Sequence, residues 1–257
     1  MIRLDKYLCE MQAGTRSEVK NLIRKGNVTV NGRTEKSPDT KIDENNDQVC
    51  LNGKKLNYQK YLYLILNKPE GLISATRDNR EKTVLDWIRE QDPDNPLLKR
   101  ELAPAGRLDK DTEGLLLLTD DGALSHRLLS PAKHVEKTYY VEINGHLDEL
   151  QCGMLKSGVD IGEDSLTKPA ELTQATNDSD GFHSEKAISA WYLTITEGKF
   201  HQVKRMMQAV GNEVVYLKRI RMGGLWLDSA LKIGDFRELT PSEVNLLESD
   251  TENVIRK

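Results

Sequence analysis

Short apolar runs, each long enough for one buried strand, recur from residue 61 onward without regular alternation with helices. They are found at residues 61–66, 115–119, 187–196 and 213–220. A parallel α/β sheet would need a crossover helix between successive strands, and the intervening segments do not supply one each time. The pattern therefore predicts an α+β fold with a mainly antiparallel sheet flanked by helices. The predicted helices are at 145–155, 202–209 and 241–248.

The start of the chain has a different pattern, which predicts a small α/β module. An amphipathic helix is expected at 4–11, and Thr15 and Glu18 form a capping box for a second helix. Short strands follow, each leading into an Asn-Gly turn at 31–32 and at 52–53. With 257 residues the chain is long enough for this module and a larger domain. The predicted boundaries are a first domain at 1–56, a linker at 57–61, a second domain at 62–245 and a tail at 246–257.

The net charge of −4 argues against a nucleic-acid partner, but the charge is unevenly distributed. Residues 1–56 contain eleven basic and eight acidic side chains, and Arg16, Lys20 and Arg24 line one face of the second predicted helix. Residues 199–221 contain six basic side chains against one acidic, Glu213. Charge alone leaves open whether these clusters are solvated faces or phosphate-binding surfaces.

Several classes of protein are disfavoured by what the sequence lacks. No apolar run approaches the ~18 residues of a membrane span. The cysteines Cys9, Cys50 and Cys152 form no CxxC pair, and the five histidines are scattered without metal-ligand spacing. We therefore expect a soluble cytoplasmic protein with reduced thiols, no metal site and no membrane contact.

The densest cluster of chemically useful side chains is the segment GRLDKDTEG at 106–114, directly before the leucine-rich run. Its terminal glycines permit an unusual backbone path, and a loop attached to a buried strand is a rigid mount for a side chain. It contains two carboxylates, Asp109 and Asp111. By itself this composition is also that of an ordinary turn.

Two resemblances narrow these alternatives. Residues 3–6, 15–17 and 26–32 resemble the small RNA-binding module named after ribosomal protein S4, which implies that the basic helix with Arg16, Lys20 and Arg24 contacts RNA. The same module is attached to synthetases, methyltransferases and pseudouridine synthases, so it leaves the chemistry open.

The segment 106–114 resembles the catalytic signature of pseudouridine synthases of the RsuA type, and further matching motifs follow in order. These are at 137–139, 166–170, 197–206 and 215–219. The resemblance implies a pseudouridine synthase domain with Asp109, Lys204 and Tyr139 as catalytic residues. It implies that the RNA substrate is bound by Arg107, Leu108 and Leu217, together with the basic helix of the first module.

The reaction explains these residue types. Pseudouridine forms when the bond from uracil N1 to ribose breaks and the base rejoins through C5, without redox change or group donor, so we expect no cofactor. One carboxylate, Asp109, can act as nucleophile or as base, and Lys204 would keep it ionised. Tyr139 would stack on uracil and Leu217 would pack behind it. Arg107 would fill the gap left by the extruded nucleotide or hold its phosphate.

The motifs at 120–122, 125–127, 166–170 and 197–206 look most like the RsuA branch, which favours one uridine of 16S rRNA as target of a monomeric enzyme. A 23S rRNA synthase of the same family and a non-catalytic ribosome-binding or assembly factor remain alternatives. No methyl-donor or nucleotide-binding motif supports a methyltransferase or a tyrosyl-tRNA synthetase. Asp111 is expected to support the loop through hydrogen bonds to its own backbone or to Arg107.

Overall fold

A computed structural model describes residues 1–175 and 182–252, with backbone alone for 250–252. The chain divides into two compact units. The first comprises Met1–Leu62 and Asp92–Glu101, and the second comprises Tyr63–Gln91 and Leu102–Lys257.

The first unit is a small α/β module whose two helices pack beside short strands. Its elements are β1 (Ile2–Arg3), α1 (Leu4–Glu10), α2 (Arg16–Arg24), β2 (Val28–Val30), β3 (Arg33–Thr34), β4 (Lys41–Ile42), β5 (Val49–Leu51) and β6 (Lys54–Leu56). Strands β3-β2-β5-β6 form one antiparallel sheet, and β1 pairs with β4. The predicted capping box is confirmed, because the Thr15 side chain accepts from Glu18 N and the Glu18 carboxylate accepts from Thr15 N. The apolar faces of α1 and α2 form this unit's core together with Val28, Ile42 and Val49 from the strands.

Two segments outside the predicted first domain also pack on this unit. In the predicted linker 57–61, Tyr58 stacks on Tyr7 with ring centroids 5.0 Å apart, and its hydroxyl donates to Glu10. Residues 92–101 were expected within the second domain. They join the first unit, where the Arg100 guanidinium donates to backbone carbonyls that include that of Gln59.

The second unit is built on one large sheet with helices beside it. Its elements are β7 (Tyr63–Lys68), α3 (Val84–Gln91), β8 (Ala103–Pro104), β9 (Glu113–Thr119), α4 (Gly122–Leu129), β10 (Lys137–Ile143), α5 (Glu149–Ser157), β11 (Glu171–Gln174), β12 (Ser189–Ile195), α6 (Gln202–Ala209), β13 (Val214–Met222), β14 (Leu225–Trp226), β15 (Phe236–Glu238) and α7 (Pro241–Glu252). The order is β11-β12-β10-β13-β9-β7-β15, with β8 beside β9 and β14 beside β13. This arrangement confirms the predicted α+β fold.

Strands β7 and β9 pair with each other and are almost wholly buried, as their apolar runs predict. Leu115 to Leu118 on β9 are fully buried, which requires apolar neighbours on both faces of the strand. Two helical features differ from expectation. Helix α3 lies in a segment where no helix was predicted, with Val84 and Ile88 buried on one face. Helix α7 crosses the predicted domain boundary at 245, and Leu247, which was assigned to the tail, is buried in the core of the second unit.

Strand pairing within this sheet is antiparallel among the described strands except between β9 and β13, where Gly114 pairs with Arg219 in parallel. Gly114 has φ +99°, and a Cβ there would lie 2.2 Å from the Arg219 carbonyl oxygen. Only glycine permits this approach of the two backbones. The glycine at the end of the 106–114 motif thus joins the loop containing Asp109 to the neighbouring strand.

No helix in the described ranges is both long enough and apolar enough to cross a membrane.

Candidate active site

The loop that carries Asp109 connects β8 to β9. It is held by the buried side chain of a lysine at the end of β7. Lys68 Nζ donates to the backbone carbonyls of Asp109 at 3.1 Å, Lys110 at 3.3 Å and Thr112 at 2.9 Å, and also to Pro69 O. Burial lowers the pKa of Lys68 to about 8, although nearby carboxylates favour its charged form. One ammonium therefore fixes the backbone path through the loop.

Two further contacts hold the same loop from residues that follow β7. The Ser74 hydroxyl lies 2.9 Å from Leu108 O and 3.0 Å from Leu108 N, so it contacts both polar groups of that residue. Gly71 N donates to Lys110 O at 2.8 Å. The position of the Asp109 side chain is consequently set by hydrogen bonds on both sides of it.

Nitrogen atoms from the start of α6 face the Asp109 carboxylate. Lys204 Nζ lies 3.4 Å from Oδ2, and His201 Nε2 lies 3.5 Å from Oδ1. His201 is the N-cap residue of α6 and has φ +48°, while its ring stacks on Phe200 at 3.7 Å between centroids. The Asp109 side chain is 27% exposed, which leaves the carboxylate accessible to a substrate.

Lys204 also contacts the second carboxylate of the loop. Its ammonium lies 2.5 Å from Asp111 Oδ1. Burial raises the pKa of Asp111, but the hydrogen bond and charge of Lys204 outweigh it, and the pKa falls below its usual value. Asp111 was expected to bond to its own backbone or to Arg107. The hydrogen bond to its own backbone is present, whereas its side-chain partner is Lys204.

The residues predicted for catalysis and substrate contact in the second unit converge on one small cavity of about 70 Å³. Those lining it are Arg107, Leu108, Asp109, Tyr139, Lys204 and Leu217. Its apolar walls come from side chains that are almost fully buried, which holds them in fixed positions.

A larger pocket of about 920 Å³ adjoins this cavity and shares Arg107, Asp109, Tyr139 and His201 with it. Its size is within the range of small-molecule and cofactor pockets, which is roughly 300–1,000 Å³. Asp109 thus lines both spaces.

Sequence reasoning missed Lys68 and His201. His201 lies within the motif 197–206, but its proximity to Asp109 depends on how α6 begins. Lys68 follows the apolar run at 61–66 and Asn67, and precedes Pro69. A lysine in that position is a signal only once the strand is known to be buried. The predicted RNA-contacting residues Arg16, Lys20 and Arg24 lie on α2 of the first unit, where Arg16 and Arg24 are exposed and Lys20 is half-buried.

In the ranges covered by the structure, no group of three or more histidine, cysteine, aspartate or glutamate side chains is arranged to hold a metal ion.

Comparison with known proteins identifies the family. Residues 62–209 match the family described as RNA pseudouridylate synthase, and residues 2–49 match the S4 domain. The chain belongs to the RNA pseudouridylate synthase family. It is an isomerase that acts on RNA, and its S4 domain is an RNA-binding module. The resemblance to the RsuA type is confirmed by the full-length relatives described next.

Full-length relatives support the same assignment of this pseudouridine synthase. It is 46% identical over 246 residues to an uncharacterized RNA pseudouridine synthase of Bacillus subtilis, covering 96% of this chain and 98% of the relative. It is 39% identical over 245 residues to ribosomal small subunit pseudouridine synthase A of Escherichia coli, covering 95% and 98%. A crystal structure of a pseudouridylate synthase matches with TM-score 0.63 and 38% identity, covering 96% and 100%. The chain is therefore a pseudouridine synthase of the kind that acts on ribosomal RNA.

The role of Lys68 in holding the synthase loop can be tested by Lys68→Met. The substitution removes the donor for four backbone carbonyls without changing side-chain length greatly, so we expect a loss of about 2–4 kcal/mol in unfolding free energy. Faster amide exchange is expected at residues 109–112. Denaturant unfolding and hydrogen exchange measure both effects.

Lys110→Met is the matched control, because it removes a lysine from the same loop whose ammonium makes an exposed pair with Glu81. That change should cost under about 1 kcal/mol. Equal losses in the two variants would show that Lys68 does not hold the loop.

Proposed function

We propose that this pseudouridine synthase converts one uridine of 16S rRNA to pseudouridine, with Asp109 as the catalytic carboxylate. The observation that carries the catalytic assignment is the Asp109 side chain, which faces Lys204 and His201 in a cavity lined by Tyr139. The 16S target is supported by the full-length similarity to a relative named as a small-subunit synthase.

The proposed reaction begins at the ribose of the target nucleotide. Asp109 either attacks this sugar as a nucleophile or removes one of its protons as a base, and the bond to uracil N1 breaks. The freed base turns and C5 bonds to the sugar. In the nucleophilic route this breaks the bond between Asp109 and the sugar, and in the base route Asp109 returns the abstracted proton to the ribose. The proton on C5 is then lost, and N1 gains one. The Lys204 ammonium, 3.4 Å from Asp109 Oδ2, faces this carboxylate during the first step.

The walls of the cavity are suited to hold the free base while it turns. Tyr139 offers a ring for stacking, and Leu108 and Leu217 supply apolar surface that excludes water. Arg107 is exposed at the rim beside Asp109. From there its guanidinium would occupy the space that the extruded nucleotide leaves in the RNA, or bind that nucleotide's phosphate.

The first unit is proposed to supply affinity rather than chemistry. Its α2 helix presents basic side chains, and the residues proposed for the reaction all lie in the second unit. That the enzyme acts as a monomer stays a prediction. Its place of action would be the cytoplasm, where ribosomal RNA is assembled into subunits.

The 16S assignment predicts the loss of one pseudouridine from 16S rRNA in cells that lack this protein, with 23S rRNA unchanged. Chemical mapping of pseudouridine in both RNAs from deletion and wild-type cells measures this. Restoration by the wild-type chain, but not by an Asp109→Asn chain, ties the change to catalysis. Loss confined to 23S rRNA would overturn the assignment and favour the large-subunit alternative.

The two loop aspartates should differ sharply in function. Asp109→Asn keeps the shape of the side chain but removes nucleophile and base, so the rate should fall at least ~10²–10⁴-fold. Asp111→Asn releases Lys204 from its second partner and should retain measurable turnover, with loss mainly of stability or RNA affinity. Single-turnover assays on an rRNA fragment measure the rates, and thermal unfolding checks that both variants fold. A dead Asp111→Asn beside an active Asp109→Asn would refute the assignment.

The basic face of α2 should account for part of the salt dependence of RNA binding. Changing Arg16, Lys20 and Arg24 together to glutamine should weaken binding and reduce the slope of log affinity against log salt by about 2–3. A control triple variant at Lys41, Lys54 and Lys55 removes the same charge from exposed positions outside α2. If both variants change the slope equally, the α2 face is not the specific contact.

A further inference from the structure

Two buried cations lie on neighbouring strands in the wall of the larger pocket. Lys137 on β10 is 7% exposed, Arg219 on β13 is 2% exposed, and both residues line the pocket. The strand register places Arg219 opposite Tyr139, which follows Lys137 by two residues and so projects from the same face of β10. Both cations therefore lie beside the tyrosine that lines the cavity of Asp109.

Neither cation has an acidic partner among the described residues. Lys137 Nζ donates to the backbone carbonyl of Val135 at 3.0 Å. Arg219 Nε donates to Leu115 O at 2.8 Å, while its Nη2 is buried and has no hydrogen-bond partner in the described chain. Burial and the charge of Arg219 lower the pKa of Lys137 to about 8. Buried cations without an anion are unfavourable, and an anionic ligand relieves that penalty.

The carboxylates that line the pocket do not supply this anion. Asp109 faces Lys204 and His201. Glu197 accepts hydrogen bonds from the Gln202 side chain at 2.6 Å and from Lys168 N at 2.9 Å. The pocket is lined by further cations, which makes it attractive to an anionic ligand as a whole. These are Arg107, Lys110 and Lys199.

We propose that Lys137 and Arg219 form a phosphate subsite that binds a backbone phosphodiester of the RNA next to the target uridine. The proposal rests on the function proposed above, in which the uracil occupies the cavity lined by Tyr139. A base beside Tyr139 brings the sugar and phosphate of the same or the adjoining nucleotide into the larger pocket. Phosphate oxygens accept strong hydrogen bonds from both an ammonium and a guanidinium, so one phosphate can satisfy Lys137 and the free Nη2 together.

This subsite would hold the nucleotide by its backbone without reading its base. It would therefore add binding energy for any extruded nucleotide, while the identity of the base is tested in the smaller cavity. A contact that forms only when the nucleotide enters the pocket also favours the extruded state over the stacked one.

The test combines Lys137→Met with rRNA fragments that carry one neutral methylphosphonate at a single phosphate flanking the target uridine. The parent fragment is one that the wild-type enzyme converts. With wild type, one methylphosphonate position should weaken binding about tenfold, as expected for loss of a charge-assisted contact. Lys137→Met should bind the unmodified fragment about tenfold more weakly and show no further loss at that position.

The control and fallback variants isolate this contact. Lys110→Met removes a cation from the exposed rim of the same pocket. Any loss of RNA affinity that it causes should add to the loss caused by the methylphosphonate. Lys137→Gln replaces the methionine variant if that protein does not fold, because its amide can still donate to Val135 O. The turnover of the wild-type enzyme shows which rRNA it converts. A 23S substrate would overturn the proposed 16S target, but the binding comparison between wild type and Lys137→Met would remain valid. The subsite would be overturned if the affinity losses from Lys137→Met and from the methylphosphonate were additive at every flanking phosphate. It would also be overturned if the Lys137 variants bound the RNA as tightly as wild type.

Discussion

The buried ammonium of Lys68 is the interaction on which the arrangement of the site depends. It sits where β7 ends and donates to the carbonyls of a loop that has no strand partner of its own. Backbone N–H groups satisfy part of these carbonyls, because Gly71 N donates to Lys110 O and Thr112 N donates to Asp109 O, and the Lys68 ammonium supplies the further donors. Because the loop is bound to the most buried strands of the sheet, Asp109 is presented from a rigid support rather than from a flexible turn.

The charges above this support are arranged around a single lysine. Lys204 bridges Asp109 and Asp111, which brings two carboxylates near each other without leaving either unopposed. His201 approaches the remaining oxygen of Asp109. The negative charge of the loop is thus balanced by nearby cations. The pocket beside it keeps an excess of basic side chains available to a polyanion.

Much of the fold and site could be predicted because the relevant signals are local. Strands β7 and β9 follow apolar runs, and the resemblance of the motifs to the RsuA type selected Asp109, Tyr139 and Lys204, which line one cavity in the structure. The remaining features depend on distant contacts. The role of Lys68 appears only when β7 is placed beneath the loop, and residues 92–101 join the first unit through the hydrogen bonds of Arg100. Neither relation leaves a periodic pattern in the sequence.

The parallel pairing of β9 with β13 also determines when a newly synthesised chain can become catalytically active. Arg219 donates to Leu115 O across 104 residues of sequence, and Gly114 meets the same arginine's backbone. Lys204 likewise reaches Asp111 from a distant part of the chain. Such non-local contacts form only after the intervening polypeptide has been synthesised and closed into a loop. A ribosome-bound fragment ending before β13 would contain Asp109 but not its assembled surroundings, so activity awaits the synthesis of β13.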